Sequence, residues 1–265
     1  NSMKLKDMYE QLVIKLEERS RLGGVMATMH WDQEVIMPKA AAENRSKQMA
    51  ALAGVLHDKS ADVEIGRLID ELFDSDINNF TEIEQCNIYE AKREYELETK
   101  IPKKLIKELA ELGSSGHQVW AKARQENKFE DFAPTLERLI ILKKKWAEFA
   151  FPELDPYDAN IDIFERGMRM ERLTPIFDKL KKELIPLIDA IRKSPFNPDI
   201  GFLKGDFPID KQEDLGRIIS REIGFDFDMG RMDVSVHPFC GGGHPTDVRI
   251  TTRYRSESFI DSLFA

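Results

Sequence analysis

Two short segments near residue 240 carry polar side chains at every second position. The polar positions are Asp233, Ser235 and His237 in the first segment and Asp247, Arg249, Thr251 and Arg253 in the second. A period of two is typical of a β-strand with one polar face. Guanidinium groups offer paired donors for carboxylates, and an imidazole titrates near neutral pH, so this face could bind an anionic group. The simpler alternative is a solvated face, since antiparallel sheets commonly have one wet side.

The loop between the two segments invites a second interpretation, a metal site. His237, Cys240 and His244 carry imidazole and thiolate groups, which are common zinc ligands. Their spacing fits no common closed zinc site, a fourth ligand is absent nearby, and three consecutive glycines favour a plain turn. Backbone amides of those glycines could bind an anion, but the strand-to-helix context of a phosphate loop is missing. We therefore assign no metal ligand to this chain.

Other titratable residues have simpler interpretations. Asp32 and Glu34 follow closely after Trp31 and could form a pair of carboxylates for acid and base chemistry. Solvated helix faces are the better explanation of these residues, and we favour that interpretation. The histidines at positions 30, 57 and 117 each lack a histidine partner at ligand spacing, so we expect ordinary packing for them.

The elements that position these residues are mostly helical. Leu5, Met8, Leu12, Val13 and Leu16 form the stripe of an amphipathic first helix, which Gly23-Gly24 is expected to end. Residues 81–84 have capping-box spacing, and residues 176–191 place apolar side chains on one broad face. The two polar segments, joined by residues 238–246, predict an antiparallel strand pair. The predicted fold is mainly α, with long helices and one small antiparallel β-hairpin or sheet near residues 232–254.

Composition limits the class of protein. Of 265 residues, 42% are hydrophobic and 33% are charged, which fits one globular domain spanning residues 1–265. A formal net charge of −9 argues against a nucleic-acid partner. No apolar run approaches the roughly 18–20 residues that cross a bilayer, and no signal-peptide pattern precedes the first helix. With only two, widely separated cysteines, we expect a cytoplasmic protein without membrane contact. Asn1-Ser2 precede Met3 and are interpreted as a cloning remnant.

Several blocks, in this order along nearly the whole chain, carry a family resemblance. They are Trp31-Asp32 with Met37-Pro38, Arg45 and Gln48; Tyr157-Asp158 with Ile161-Asp162 and Gly167; Gly224-Phe225-Asp226-Phe227; Gly230-Arg231-Met232-Asp233; His237-Pro238-Phe239; and Asp247-Val248-Arg249-Ile250-Thr251-Thr252-Arg253-Tyr254. Together they resemble the thermostable carboxypeptidase family of metallopeptidases, also called the carboxypeptidase Taq family. The last two blocks, in this order, are the most specific.

The resemblance implies a metallocarboxypeptidase that removes single residues from peptide C-termini with broad preference. It also implies a mostly helical subunit that commonly forms a homodimer, with zinc or cobalt as the working metal. The residues that carry over as lining the substrate groove are His237, Pro238, Phe239, Asp247, Arg249, Thr251 and Arg253. Within this set we expect Arg249 and His237 to lie near the substrate backbone or its terminal carboxylate.

In the family, an HExxH helix that holds the metal follows the Asp247–Tyr254 block. No HExxH pair occurs among the five histidines here, so no ligand carries over. Residues 256–265 resemble the start of an apolar helix without a C-cap, which suggests an N-terminal portion that ends before the motif. By itself this chain should then be inactive. The alternative is a complete, non-catalytic helical module that binds peptides or regulates a full-length relative.

Overall fold

The computed structural model describes residues 2–203 and 205–260, with the side chains of Ser2 and Met3 left aside. These residues divide into two compact units. Unit 1 comprises residues up to 142 together with 217–253, and unit 2 comprises residues 143–216 and those from 254 onward. Among the described residues, no helix is both long enough and apolar enough to cross a membrane. That all of them belong to a single domain stays a prediction.

Helices make up most of the structure, and the mainly α prediction is confirmed. In chain order they are α1 (Ser2–Val35), α2 (Ala42–Ser60), α3 (Val63–Phe73), α4 (Glu82–Lys100), α5 (Lys103–Glu126), α6 (Phe129–Ala150), α7 (Pro156–Phe164), α8 (Met170–Lys193) and α9 (Ile209–Glu222), with 3-10 turns at Lys39–Ala41, Ile77–Asn79 and Gly201–Leu203. The predicted capping box is present at the start of α4. The Thr81 hydroxyl accepts from the Glu84 N–H, and the Glu84 carboxylate accepts from the Thr81 N–H.

The main core of unit 1 joins α1, α3 and α4. Its buried members are Met8, Leu12, Ile65, Leu68, Ile69, Leu72, Phe80, Ile88 and Ala91. On α3 the buried positions follow the helical spacing of three and four residues, so one face of this short helix lies entirely inside. Each fully buried aliphatic side chain contributes roughly 1.5–3 kcal/mol. This core fixes the first half of α1, whose second half reaches the sheet.

A three-stranded sheet contains the two polar segments. The strands are β1 (Gly230–Val234), β2 (Cys240–His244) and β3 (Asp247–Thr252), in the spatial order β1-β3-β2. β2 pairs with β3 in antiparallel fashion, whereas β1 pairs with β3 in parallel, with Arg231 opposite Arg249. The prediction that the two polar segments form an antiparallel pair is therefore wrong. The glycine-rich loop forms β2, which runs antiparallel to β3. Its glycines have no side chains, so no alternating pattern could predict this strand.

Two glycines bring α1 into backbone contact with β2. α1 continues without a break through Gly23 and Gly24, so the predicted end of the helix there is wrong. A Cβ atom added at Gly24 would lie 3.2 Å from the carbonyl oxygen of Gly243, and one added at Gly243 would lie 2.5 Å from the Cα of Gly24. Gly243 is therefore the glycine that this close approach requires, and a side chain at Gly24 would also be tight.

Unit 2 contains α7 and α8. Asp155 caps α7 by accepting from the Tyr157 N–H at 2.8 Å. The buried carboxylate of Asp162 accepts from the Gly167 N–H at 3.0 Å and from Arg169 at 2.7 Å, which holds the turn that follows α7. Gly167 has a φ of 77°, a conformation that favours glycine.

The apolar face predicted for residues 176–191 is present on α8, but it is exposed. Its members are Ile176, Phe177, Leu180, Leu184, Leu187, Ile188 and Ile191, which are between 40% and 64% exposed. None of the residues of this helix is buried. Of the apolar helix predicted for residues 256–265, the first five residues are described and are mainly turns, whereas residues 261–265 lie outside the described residues.

The crossing of α1 and β2 predicts opposite effects for two glycine substitutions. Gly243→Ala places a methyl group on the backbone of α1 and should lower the free energy of unfolding by about 1–3 kcal/mol. Gly23→Ala is the matched control, because its Cβ would meet no atom within 4 Å. In a helix interior this change should stabilise by up to about 1 kcal/mol. Urea unfolding followed by circular dichroism measures both, and equal midpoints would contradict the close contact.

Candidate functional site

Trp31 lies against the polar face of the sheet. Its side chain is 5% exposed, and the guanidinium carbons of Arg249 and Arg231 lie 4.3 and 4.7 Å from its ring centroid. These distances are within the range of cation–π attraction. The Arg249 side chain is only 15% exposed. A fully solvated sheet face, the simpler alternative above, is therefore not what the structure contains.

Each of the two stacked arginines forms a two-pronged ion pair with an aspartate two residues away on its own strand. Arg249 donates to Asp247 at 2.6 and 3.0 Å, and Arg231 donates to Asp233 at 2.7 and 2.6 Å. Arg249 holds the pKa of Asp247 below its ordinary value, mainly through these hydrogen bonds and against the effect of burial. The hydrogen bonds to Asp233 likewise raise the pKa of Arg231. Two like charges can therefore lie side by side, because each is locally neutralised.

Thr251 attaches the segment 237–239 to β3. This threonine is 1% exposed. Its Oγ1 accepts from the Phe239 N–H at 2.8 Å, and its own N–H donates to the Phe239 carbonyl at 2.8 Å. Ser235 Oγ lies 2.8 Å from Thr251 Oγ1 and 2.9 Å from the His237 carbonyl oxygen. Thr251 is thus a scaffold residue, whereas Pro238 and Phe239 are half-buried beside it.

His237 is exposed and has one free ring nitrogen. Its Nδ1 lies 3.0 Å from the Pro238 carbonyl oxygen. A carbonyl only accepts, so Nδ1 carries a proton in this contact, and Nε2 is the ring nitrogen left for another partner. The ring contacts Trp120 with a centroid distance of 6.3 Å, and Trp120 in turn contacts His117 at 5.4 Å.

Glu34 and His117 form a contact that sequence reasoning missed. Glu34 Oε2 lies 2.9 Å from His117 Nε2, although the alignment is not that of a hydrogen bond. The Glu34 side chain is only 16% exposed, so the interpretation of a solvated helix face is wrong for this residue. One turn earlier on α1, partial burial lowers the pKa of His30 more than Glu34 raises it, and His117 lowers it further. Nothing in the sequence spacing relates α1 to α5, so no signal could have predicted this contact.

The neighbouring carboxylate of α1 is also paired. Arg45 Nη2 lies 2.5 Å from Asp32 Oδ2 in an ion pair, and Arg45 donates to the Met29 carbonyl at 2.9 Å. These contacts attach the end of α1 to α2 and explain why Asp32 and Arg45 occur together. Asp32 therefore has a structural contact rather than the solvated position that we favoured.

Arg253 differs from the other predicted site residues. It follows β3 directly and is half-buried, and its Nε has no hydrogen-bond partner among the described residues.

His244 turns away to Thr246, with its Nδ1 2.7 Å from the threonine hydroxyl. Across residues 2–203 and 205–260, no group of three or more His, Cys, Asp or Glu side chains is arranged to hold a metal ion.

Comparisons with known proteins match nearly the whole chain. A family model described as carboxypeptidase Taq (M32) metallopeptidase matches residues 11–265. Carboxypeptidase 1 of Bacillus subtilis is 34% identical over 257 residues, covering 97% of this chain and 51% of the relative. Thermostable carboxypeptidase 1 of Thermus thermophilus is 35% identical over 266 residues, with coverages of 97% and 52%. The BsuCP crystal structure superposes with a TM-score of 0.93 at 32% identity, with coverages of 97% and 52%. The chain thus spans about half the length of these relatives.

The stacking on Trp31 predicts a graded response to substitution. Trp31→Phe keeps an aromatic face for the two arginines, whereas Trp31→Leu keeps apolar volume without that face. The leucine variant should be less stable than the phenylalanine variant by about 0.5–2 kcal/mol, because cation–π attraction is lost. Urea unfolding of both variants measures this difference. Equal stability of the two would show that the ring contributes only its volume.

The pairing of Asp247 predicts a dependence on pH. Folding lowers the pKa of Asp247, so the ion pair stabilises the folded chain fully at pH values above the pKa of the unfolded carboxyl. This stabilisation is lost as the pH falls through the pKa of the carboxyl in the folded chain. Asp247→Asn should therefore be less stable than the unsubstituted chain at pH 7, by at most about 1 kcal/mol because the pair is partly solvated. The difference should shrink below about pH 4. Thermal unfolding at a series of pH values measures this difference in stability. The control is Asp189→Asn, at an exposed position. A stability difference for Asp247→Asn that does not change with pH would contradict the pairing.

Proposed function

Because this chain belongs to the carboxypeptidase Taq (M32) family of metallopeptidases, we propose that it is part of a metallocarboxypeptidase. The reaction is the release of single residues from peptide C-termini, with broad preference for the residue released. The match of the family over residues 11–265 is the observation that carries this proposal. We further propose that the whole protein acts in the cytoplasm as a homodimer.

The residues of the polar sheet face form one wall of the substrate groove in this proposal. His237 presents Nε2 to the peptide backbone, where it accepts a hydrogen bond or takes a proton. The scaffold contacts of Thr251 with Phe239 keep this histidine at a fixed position along β3. Arg249 is placed near the terminal residue of the peptide, with its charge balanced by Asp247 and its plane fixed by Trp31. Pro238 and Phe239 supply apolar surface beside it.

The metal that the family name implies does not fit the residues described here. Within these residues no set of three ligating side chains converges, and His237, Cys240 and His244 do not form one. We therefore derive no step through the metal, and zinc and cobalt remain alternatives. We propose that the ligands belong to the half of the relatives' length that this chain does not span.

A second candidate function is a non-catalytic module, and the lack of a metal-ligand set among the described residues favours it. Because no ligand set is found among the described residues, the chain could act as a non-catalytic module that binds peptides or regulates a full-length relative. The two candidates differ in what the complete gene product does. If that product releases C-terminal residues and a chelator stops it, the metallocarboxypeptidase stands; a complete product without this activity would favour the module.

The 265-residue chain alone should not release C-terminal residues. The reason is that a metallopeptidase needs its metal to activate water, and the described residues supply no ligand set. The measurement is mass spectrometry of a peptide with a free C-terminus after incubation with the chain and zinc or cobalt. Release that a chelator abolishes would contradict the proposal that the ligands lie elsewhere.

A further inference from the structure

The three arginines on or next to the polar sheet face differ in what balances their charge. Arg231 and Arg249 each have a two-pronged aspartate partner and a place on the Trp31 ring. Arg253 has neither, since no ion pair or hydrogen bond joins its side chain to any residue the structure describes. The uncompensated positive charge at this end of β3 therefore belongs to Arg253.

Burial makes this difference informative. The Nε atom of Arg253 is closed off from solvent and has no acceptor. Of the six other half-buried arginines in the described part of the chain, four pair with a carboxylate, and Arg93 and Arg217 also have interaction partners. The pairs are Arg19 with Glu94, Arg45 with Asp32, Arg169 with Asp162 and Arg249 with Asp247, at 2.6, 2.5, 2.7 and 2.6 Å. Against this background, a half-buried guanidinium without a partner is an exception within the described chain.

A half-buried guanidinium without a partner is stabilised when an anion binds to it. Removing a cation from water is costly unless an opposite charge and hydrogen bonds replace the lost hydration. The planar group of arginine presents parallel N–H donors that match the two oxygens of a carboxylate. A carboxylate that pairs with the guanidinium of Arg253 would balance its charge, and it would reach the buried Nε–H once the side chain turns out of its present position.

The backbone at Arg253 is well fixed for such a role. It follows Thr251 and Thr252, which are 1% and 6% exposed and end β3. Thr251 is bonded to Phe239, and Thr252 accepts from the Ser235 N–H at 3.0 Å. Arg253 thus leaves the sheet at a defined point, so binding a carboxylate would require the ordering of one side chain only.

We propose that Arg253 is the carboxylate-binding residue of this chain, whereas Arg249 and Arg231 are held by Trp31 in neutral pairs that shape the wall. The inference rests on the proposed function for the identity of the ligand, which is the C-terminal carboxylate of a peptide. The same chemistry has a second source, an acidic side chain from the half of the relatives' length that this chain does not span. In either case the anion comes from outside the described residues.

Arginine side-chain NMR of the 265-residue chain tests this directly. The Nε–Hε signal of Arg253 is assigned with the Arg253→Lys variant and then followed on addition of N-acetylglycylglycine. Saturable movement with this acid, but not with its C-terminal amide, is the expected result. Arg253→Gln should weaken binding of the acid at least about tenfold. Arg221→Gln, which removes a charge elsewhere in unit 1, is the matched control and should bind unchanged.

A second arm separates the two sources. N-acetylaspartic acid α-amide, whose one carboxylate is that of a side chain, is added in place of the dipeptide. Movement of the Arg253 signal with this compound alone would support the carboxylate site and assign it to an acidic side chain. Equal movement with the amide, unchanged binding by Arg253→Gln, or no movement with either partner would overturn the proposal. Because the readout is binding, failure here is distinct from a complete gene product that lacks peptidase activity.

Discussion

The indole of Trp31, shared by two arginines, is the contact on which the rest of the site depends. Arg231 and Arg249 are opposite each other on parallel strands, an arrangement that would be repulsive if both charges were bare. An aspartate on each strand and the ring beneath them make it stable. The sheet and α1 are therefore joined through arginines whose charges are each neutralised by an aspartate. Removing one aspartate would leave its arginine unpaired beside the other arginine.

The remaining architecture serves to bring Trp31 to that position. The core of α1, α3 and α4 fixes the beginning of α1, and the pairing of Asp32 with Arg45 fixes its end. Between these two attachments, Gly24 lets the helix contact β2 backbone to backbone. Two residues beyond Arg249 along β3, Thr251 attaches the His237 segment. Helix, sheet and histidine thus form one connected frame within unit 1.

Sequence reasoning predicts the helices and the polar face well, because both are periodic. The stripe through Met8 and Leu12 and the capping box at Thr81 follow directly from spacing. The strand β2 escaped prediction because Gly241 and its glycine neighbours have no side chains from which a period could be recognised. The parallel pairing of β1 with β3 follows from that hidden strand. The contacts of Trp31 with the arginines, and of Glu34 with His117, join residues far apart in sequence, so local patterns carry no information about them.

The contact of Gly24 with Gly243 also determines how the site can deform. Two backbones that touch have no rotatable side-chain bonds between them, so the spacing at this point is stiff. α1 therefore cannot come closer to the sheet at this point. Trp31 lies seven residues further along the helix, about 10 Å away. The crossing therefore sets a lower limit on the distance between α1 and the sheet, and through the rigid helix it limits how closely the indole can approach the arginines.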